Sequence, residues 1–269
     1  MNSIEKEIEK NSIWHGLSLN TIYNMDCIEG MKLIPDGSID CIITSPPYWK
    51  GFAYEAYFNS YKQYLDWSRQ WLKECKRVLA PNGTLYLNVI NDSEITIRAF
   101  ELMQIATIDL MYKLHDTIIW YRYNQQPANT KRQLTNQCEY VFMLRHTSAG
   151  IELDKKSAYE NTPEMFKTKN VGNVWELPFN AGKVKSNFGK KETKSKWGHS
   201  GFPVKLPETC ILLSTKEGDV VLDLFAGSGT TAIACINTNR KYIWFELDEW
   251  YRNIATKRIQ DKLSDNTLF

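Results

Sequence analysis

The chain has 269 residues, 43% of them hydrophobic, and a formal net charge of +2. That suffices for one large domain, or a domain with an insert. The charge is too small to hold a polyanion except through local clustering. No run of ~18 apolar residues occurs, and Met1-Asn2-Ser3-Ile4-Glu5-Lys6 has no apolar leader core, so the expectation is a soluble, cytoplasmic protein without a membrane partner. Six cysteines, at 27, 41, 75, 138, 210 and 235, form no CxxC pair and have no ligand spacing with the four histidines. Structural zinc and a disulfide framework are therefore not expected, and the metal set is empty.

Residues 1–12 are polar and read as a short helix or frayed end. Thr21-Ile22-Tyr23 reads as a strand entering Asn24-Met25-Asp26. Asp36-Gly37 marks a turn before a strand over Ile39–Thr44. Helical spacing over 60–78 (Tyr61, Tyr64, Leu65, Trp67, Trp71, Leu72, Cys75, Val78) predicts a helix that Pro81-Asn82-Gly83 ends. A strand is predicted over Thr84–Ile90, a helix over 94–113, and strands at Ile118–Tyr121 and Tyr140–Leu144. From His146 to Ser200 periodicity fades, and the stretch is too long for an ordinary connection, so it reads as an inserted recognition region. Within it Lys183, Lys185, Lys190, Lys191, Lys194 and Lys196 face one acid, Glu192. Alone, such a run is a solvated loop. Regular structure resumes with a helix over 205–214, a strand over Val220–Leu224, a helix over 230–237, a strand over Tyr242–Glu246 and a helix over 249–262. The alternation predicts an α/β domain with a mostly parallel sheet covered on both faces.

Two elements carry chemistry. Thr44-Ser45-Pro46-Pro47-Tyr48 ends the 39–44 strand, at the edge where open α/β sheets bind ligands. Two prolines remove two N–H donors, leaving carbonyls and the Ser45 hydroxyl as acceptors beside the Tyr48 ring. That combination suits a planar ring with an exocyclic amino group. Phe225-Ala226-Gly227-Ser228-Gly229-Thr230-Thr231-Ala232 follows the 220–224 strand. Its glycines permit a tight turn and close ligand approach, and the next helix offers free N–H groups. Glu246, ending the next strand, is placed to accept ribose hydroxyls. The run also satisfies G-x-G-x-x-A, so a nicotinamide oxidoreductase stays open at this point.

Together, Thr44-Ser45-Pro46-Pro47-Tyr48 followed by Leu222-Asp223-Leu224-Phe225-Ala226-Gly227-Ser228-Gly229-Thr230-Thr231 resembles the S-adenosylmethionine-dependent DNA amino-methyltransferases. The order resembles their permuted β group. The resemblance covers most of residues 20–145 and 200–262, and Leu224 departs from the proline common there. It implies a Rossmann-like, doubly wound, circularly permuted fold. Residues 1–145 would be the catalytic half, 146–200 the target-recognition insert and 201–269 the cofactor half. It implies that Ser45, Pro46, Pro47 and Tyr48 are catalytic. It places S-adenosyl-L-methionine against Asp26, Thr44, Phe202, Pro203, Asp223, Phe225, Ala226, Gly227, Ser228, Gly229, Thr230, Thr231, Glu246 and Leu247. Ile119-Trp120 and Glu139-Tyr140 would flank the target pocket, with Trp49 or Trp120 as a wall.

Double-stranded DNA is the implied partner, with the lysines of 183–196 on phosphates and an accompanying restriction endonuclease an open question. Monomer and homodimer both remain open. An aryl amine is a weak nucleophile, and acceptors at Ser45 and Pro46 would free its lone pair. The base must leave the duplex, with Tyr48 stacking on it. None of the nine prolines precedes a cysteine, which excludes carbon-5 methylation through a Pro-Cys nucleophile. Ser-Pro-Pro-Tyr resembles the cytosine-N4 enzymes, Asp-Pro-Pro-Tyr the adenine-N6 enzymes. Cytosine N4 is the expectation, with adenine N6 as the alternative. RNA or protein amide methylation and a catalytically silent DNA-binding module are further rivals. Residue by residue, Asp26 reads equally as a turn residue, Trp67 and Trp71 as core, and His199 as a loop residue.

Overall fold

The computed structural model of the chain describes residues 13–14, 16–49, 57–90, 96–124, 127, 134–146, 152–178 and 201–266. The expected helix at 1–12, the lysines at 183, 185, 190, 191, 194 and 196, and His199 lie outside the described residues.

In chain order the elements are β1 (Ile13–Trp14), β2 (Leu17–Ser18), β3 (Thr21–Tyr23), α1 (Cys27–Met31), β4 (Ile39–Thr44), α2 (Tyr61–Val78) and β5 (Leu79–Ile90). Then come α3 (Thr96–Gln104), running into a π-helical turn at Ile105–Asp109, β6 (Lys113–Tyr121), β7 (Cys138–Arg145), α4 (Lys155–Asn161) and β8 (Val174–Glu176). The last are α5 (Lys205–Ser214), β9 (Val220–Asp223), α6 (Thr230–Asn237), β10 (Lys241–Phe245) and α7 (Glu249–Asn266). β1 and β2 form a separate antiparallel pair, and the other strands make an 8-stranded sheet in the order β3-β10-β9-β4-β5-β7-β6-β8. Only β7 runs against its neighbours β5 and β6; the remaining pairs are parallel. Strand order turns around between β9 and β4, the switch point at which such sheets bind ligands.

Strand alternation sorts side chains to two faces. Ile42, Leu85, Leu87, Leu222 and Ile243 pack with Met31, Trp71, Leu72, Cys75 and Leu102, so α1, α2 and α3 cover one face. Cys41, Ile43, Tyr86, Val221 and Trp244 pack with Ala158, Leu206, Ile211, Ala232 and Ile259, so α4 to α7 cover the other. Helix α2 forms where expected: Ser60 caps it by accepting from Gln63 N, and Tyr64, Ser68, Trp71, Leu72, Cys75 and Val78 form its buried stripe.

Two expectations are corrected. Pro81-Asn82-Gly83 is no break between elements but a bulge inside β5, where pairing jumps from Ile39↔Leu79 to Cys41↔Thr84. The 94–113 helix stops at Asp109, because Lys113 already pairs with Arg145. Residues 152–178, within the stretch expected as an insert, pack into the core. β8 extends the sheet beside β6, and Ala158, Met165, Val171, Trp175 and Leu177 are buried. Lys- and Asn-rich surface positions hide these widely spaced apolar anchors from periodicity. Among the described residues no helix is long and apolar enough to cross a membrane.

Candidate active site

β4 and β9 are neighbours in parallel register, Cys41↔Val221 and Ile42↔Leu222, so Thr44 and Asp223 end side by side. The Thr44 hydroxyl donates to Asp223 Oδ1 at 3.2 Å. Asp223 also accepts from Phe225 N at 3.1 Å and from the Thr231 hydroxyl at 2.6 Å. This buried carboxylate thus ties the acceptor loop to the glycine turn. Burial pushes its pKa up to about 6, against the pull of the three donors.

The acceptor loop is held through selected carbonyls. The Tyr64 hydroxyl, fully buried on α2, donates to Pro47 O at 3.0 Å. Arg98 on α3 donates to Tyr48 O, its guanidinium over the Tyr61 ring. Pro46 O accepts nothing from the described residues, and Ser45 Oγ shares a short hydrogen bond with the Tyr48 hydroxyl. Both keep acceptor capacity. Trp49 follows with φ of 53°, a left-handed conformation costly for a bulky residue. Its ring packs on Phe58 and Tyr64. Tyr64, Trp67 and Trp71 continue to Phe225 of the glycine turn, so the aromatic face of α2 spans both motifs.

In the glycine turn, Gly227 and Gly229 have φ of 51° and 85°. Gly227 N donates to Glu246 Oε2 and Asp248 N to Oε1, both at 2.8 Å. Each carboxylate oxygen retains a lone pair. Burial lifts Glu246 from the ordinary value of 4.5 to about 7. A Cβ on Gly227 would meet nothing nearer than Phe225 O at 3.9 Å, so the space beside Glu246 is open. A Cβ on Gly229 would lie 2.9 Å from Ala255 Cβ, so α7 seats directly on the turn. Arg258 of α7 donates to Ser228 O, and to Ser228 Oγ at 2.9 Å. Thr230 and Thr231 are buried at the start of α6, Ala226 N donates to Phe245 O, and Leu224 packs in the core despite its departure from proline.

Around this turn, a Cβ at Gly201 would approach Thr230 Oγ1 to 3.7 Å, so the segment with half-buried Phe202 and buried Pro203 passes over the turn. Asn24, after β3, donates to Glu246 O and Leu247 O. That sets the β3 loop beside Glu246, with Leu247 exposed at its rim. Asp26 caps α1 by accepting from Ile28 N and Glu29 N. An open space flanked by a carboxylate with spare lone pairs fits a nucleoside-bearing cofactor.

One site expectation is overturned. Trp120 is no pocket wall: it is 2% exposed, and its Nε1 donates to Leu177 O in the β8 core. Glu139 instead pairs with Arg122 at 3.0 Å and accepts from Asn88, a buried network at the loop edge of β5, β6 and β7. The site contacts of Tyr64, Arg98, Asn24 and Arg258 were not read from the sequence, since each acts through a tertiary contact with a backbone oxygen that no local pattern encodes.

The DNA methylase family model for N6 and N4 enzymes matches residues 39–257. The Type II methyltransferase M.Cfr9I of Citrobacter freundii is 29% identical, over 94% of this chain and 92% of that one. M.HinfI of Haemophilus influenzae is 31% identical, over 90% and 69%. Among solved structures, the cytosine-N4-specific PvuII DNA methyltransferase superposes with a TM-score of 0.71 at 21% identity, covering 90% of each chain. TTHA0409 of Thermus thermophilus, complexed with S-adenosyl-L-methionine, gives 0.64 at 23% identity over 90% and 93%. These structures share the class I methyltransferase fold. With its acceptor loop and glycine turn on one sheet edge, this chain belongs to the N6/N4 DNA methylase family.

Proposed function

We propose that this chain transfers a methyl group from S-adenosyl-L-methionine to cytosine N4 in double-stranded DNA, on a base turned out of the helix. The observation that carries the reading is the Thr44–Asp223–Thr231 tie, which holds the acceptor loop against the glycine turn. The bound cofactor supplies an electrophilic sulfonium methyl. Glu246 accepts its ribose hydroxyls, Gly227 leaves it room, and the 201–203 segment lies over it. Ser45 Oγ and Pro46 O accept the two N–H bonds of the target amine. This directs the nitrogen lone pair at the methyl, a gain of position and electrostatics. The product nitrogen sheds one proton to solvent as the N–C bond forms. The Tyr48 ring stacks on the base, Trp49 buttresses the loop, and the lysines of 183–196 meet phosphates.

The Ser-Pro-Pro-Tyr form of the loop resembles the cytosine-N4 enzymes rather than the adenine-N6 enzymes, in line with the cytosine-N4 specificity of the PvuII enzyme. The test is incubation with labelled S-adenosylmethionine and duplex DNA, followed by digestion to nucleosides. N4-methylcytosine is expected. Label in N6-methyladenine alone would reverse the base, and no label in DNA would remove the reading.

A further inference from the structure

Resting on that reading, we propose that the Tyr48 hydroxyl is a positioning group: it accepts a hydrogen bond from the Ser45 O–H and thereby turns a Ser45 lone pair toward the target amine. A serine hydroxyl carries one donor as well as two lone pairs. A carboxylate in its place would have no proton to send away. If the Ser45 O–H pointed into the pocket, it would oppose the amine N–H instead of accepting it. The loop offers the proton few destinations. Pro47 O is taken by Tyr64 and Tyr48 O by Arg98. Pro46 O is the second acceptor the amine requires. Pro46 and Pro47 bring no N–H. Among the described residues, the Tyr48 hydroxyl is the group within hydrogen-bond distance of Ser45 Oγ. Donation from Ser45 to Tyr48 also raises electron density on Oγ, since successive hydrogen bonds polarise one another. The Tyr48 ring and hydroxyl thus have separable duties: the ring faces the base and the hydroxyl sets Ser45.

Tyr48→Phe keeps the ring and removes only the hydroxyl. The expected result is a single-turnover methylation rate lowered roughly 10–100-fold, the worth of one misdirected hydrogen bond. Affinities for duplex DNA and for S-adenosylhomocysteine should stay within about twofold of the parent. Tyr48→Ala should additionally lower the fluorescence of a 2-aminopurine at the target position, which reports base extrusion. The direction of the bond is read by 3-fluorotyrosine at position 48, assayed below its pKa. A fluorinated phenol is a poorer acceptor and a better donor, so the rate should fall. An unchanged or raised rate, or a Tyr48→Phe enzyme as fast as the parent, would overturn the proposal. A parent enzyme that methylates no DNA would instead refute the underlying reading.

Discussion

The strongest quantitative expectation concerns Glu246. In the folded protein it titrates at about 7, because burial disfavours its charge. Ribose hydroxyls donate to the ionised form, so cofactor binding must expel the proton wherever it is present. Affinity is therefore flat above about pH 7 and falls below it. With a pKa of about 7, the competent fraction makes binding about tenfold weaker at pH 6 than at pH 8. Glu246→Ala removes two charge-assisted acceptors and frees the Gly227 and Asp248 N–H groups. A loss of roughly 3 kcal/mol corresponds to about 150-fold in Kd. Glu246→Gln has one carbonyl oxygen for two backbone donors, so it also weakens binding and removes the pH dependence. Calorimetric titration with S-adenosylhomocysteine across pH measures all three. Parent affinity independent of pH from 6 to 8, or an alanine variant within twofold of the parent, would refute the ribose assignment.

The glycines should separate by readout. Gly227→Ala faces open space, so it should fold with a strain of about 1–2 kcal/mol from its positive φ while losing cofactor affinity. Gly229→Ala meets Ala255 and should lower the melting temperature further, and the reverse ranking in thermal melts would contradict this packing. Asp223→Ala strands the Phe225 N–H and both threonine hydroxyls, and should destabilise by about 3 kcal/mol in urea unfolding. The Asp223 pKa is raised on folding, from 3.8 to about 6. Its contribution is present in full below pH 3.8 and lost as pH rises through 6. Asp223→Asn, whose amide can donate to a threonine, should erase about 3 kcal/mol of that pH dependence. Parent and variant curves of equal slope between pH 4 and 6 would sink the assignment.

Local chemistry was legible wherever the chain writes it locally. The helix over 61–78 carries a buried stripe at helical spacing, and the helices over 205–214 and 230–237 form where expected. The two motifs at Thr44–Tyr48 and Leu222–Thr231 state their acceptors and turn residues outright. What stayed hidden depends on long-range pairing. β8 has three residues, and it is a strand only because Ile119–Tyr121 lies beside it. Trp120 sits next to motif positions in sequence, yet strand alternation turns it into the core. Arg98 and Arg258 look like surface cations until the carbonyls they bind are seen.

The site owes nothing to the order in which its parts are synthesised. Thr44 and Asp223 are 179 residues apart in the chain but joined by one hydrogen bond. β10 and β3 pair in parallel although β3 comes first, so β3, β10, β9 and β4 present four consecutive strand ends to one crevice. Two carboxylates, the buried Asp223 and the half-buried Glu246, and the acceptors of the Pro-Pro loop line it. The guanidinium groups of Arg98 and Arg258 bind backbone oxygens there.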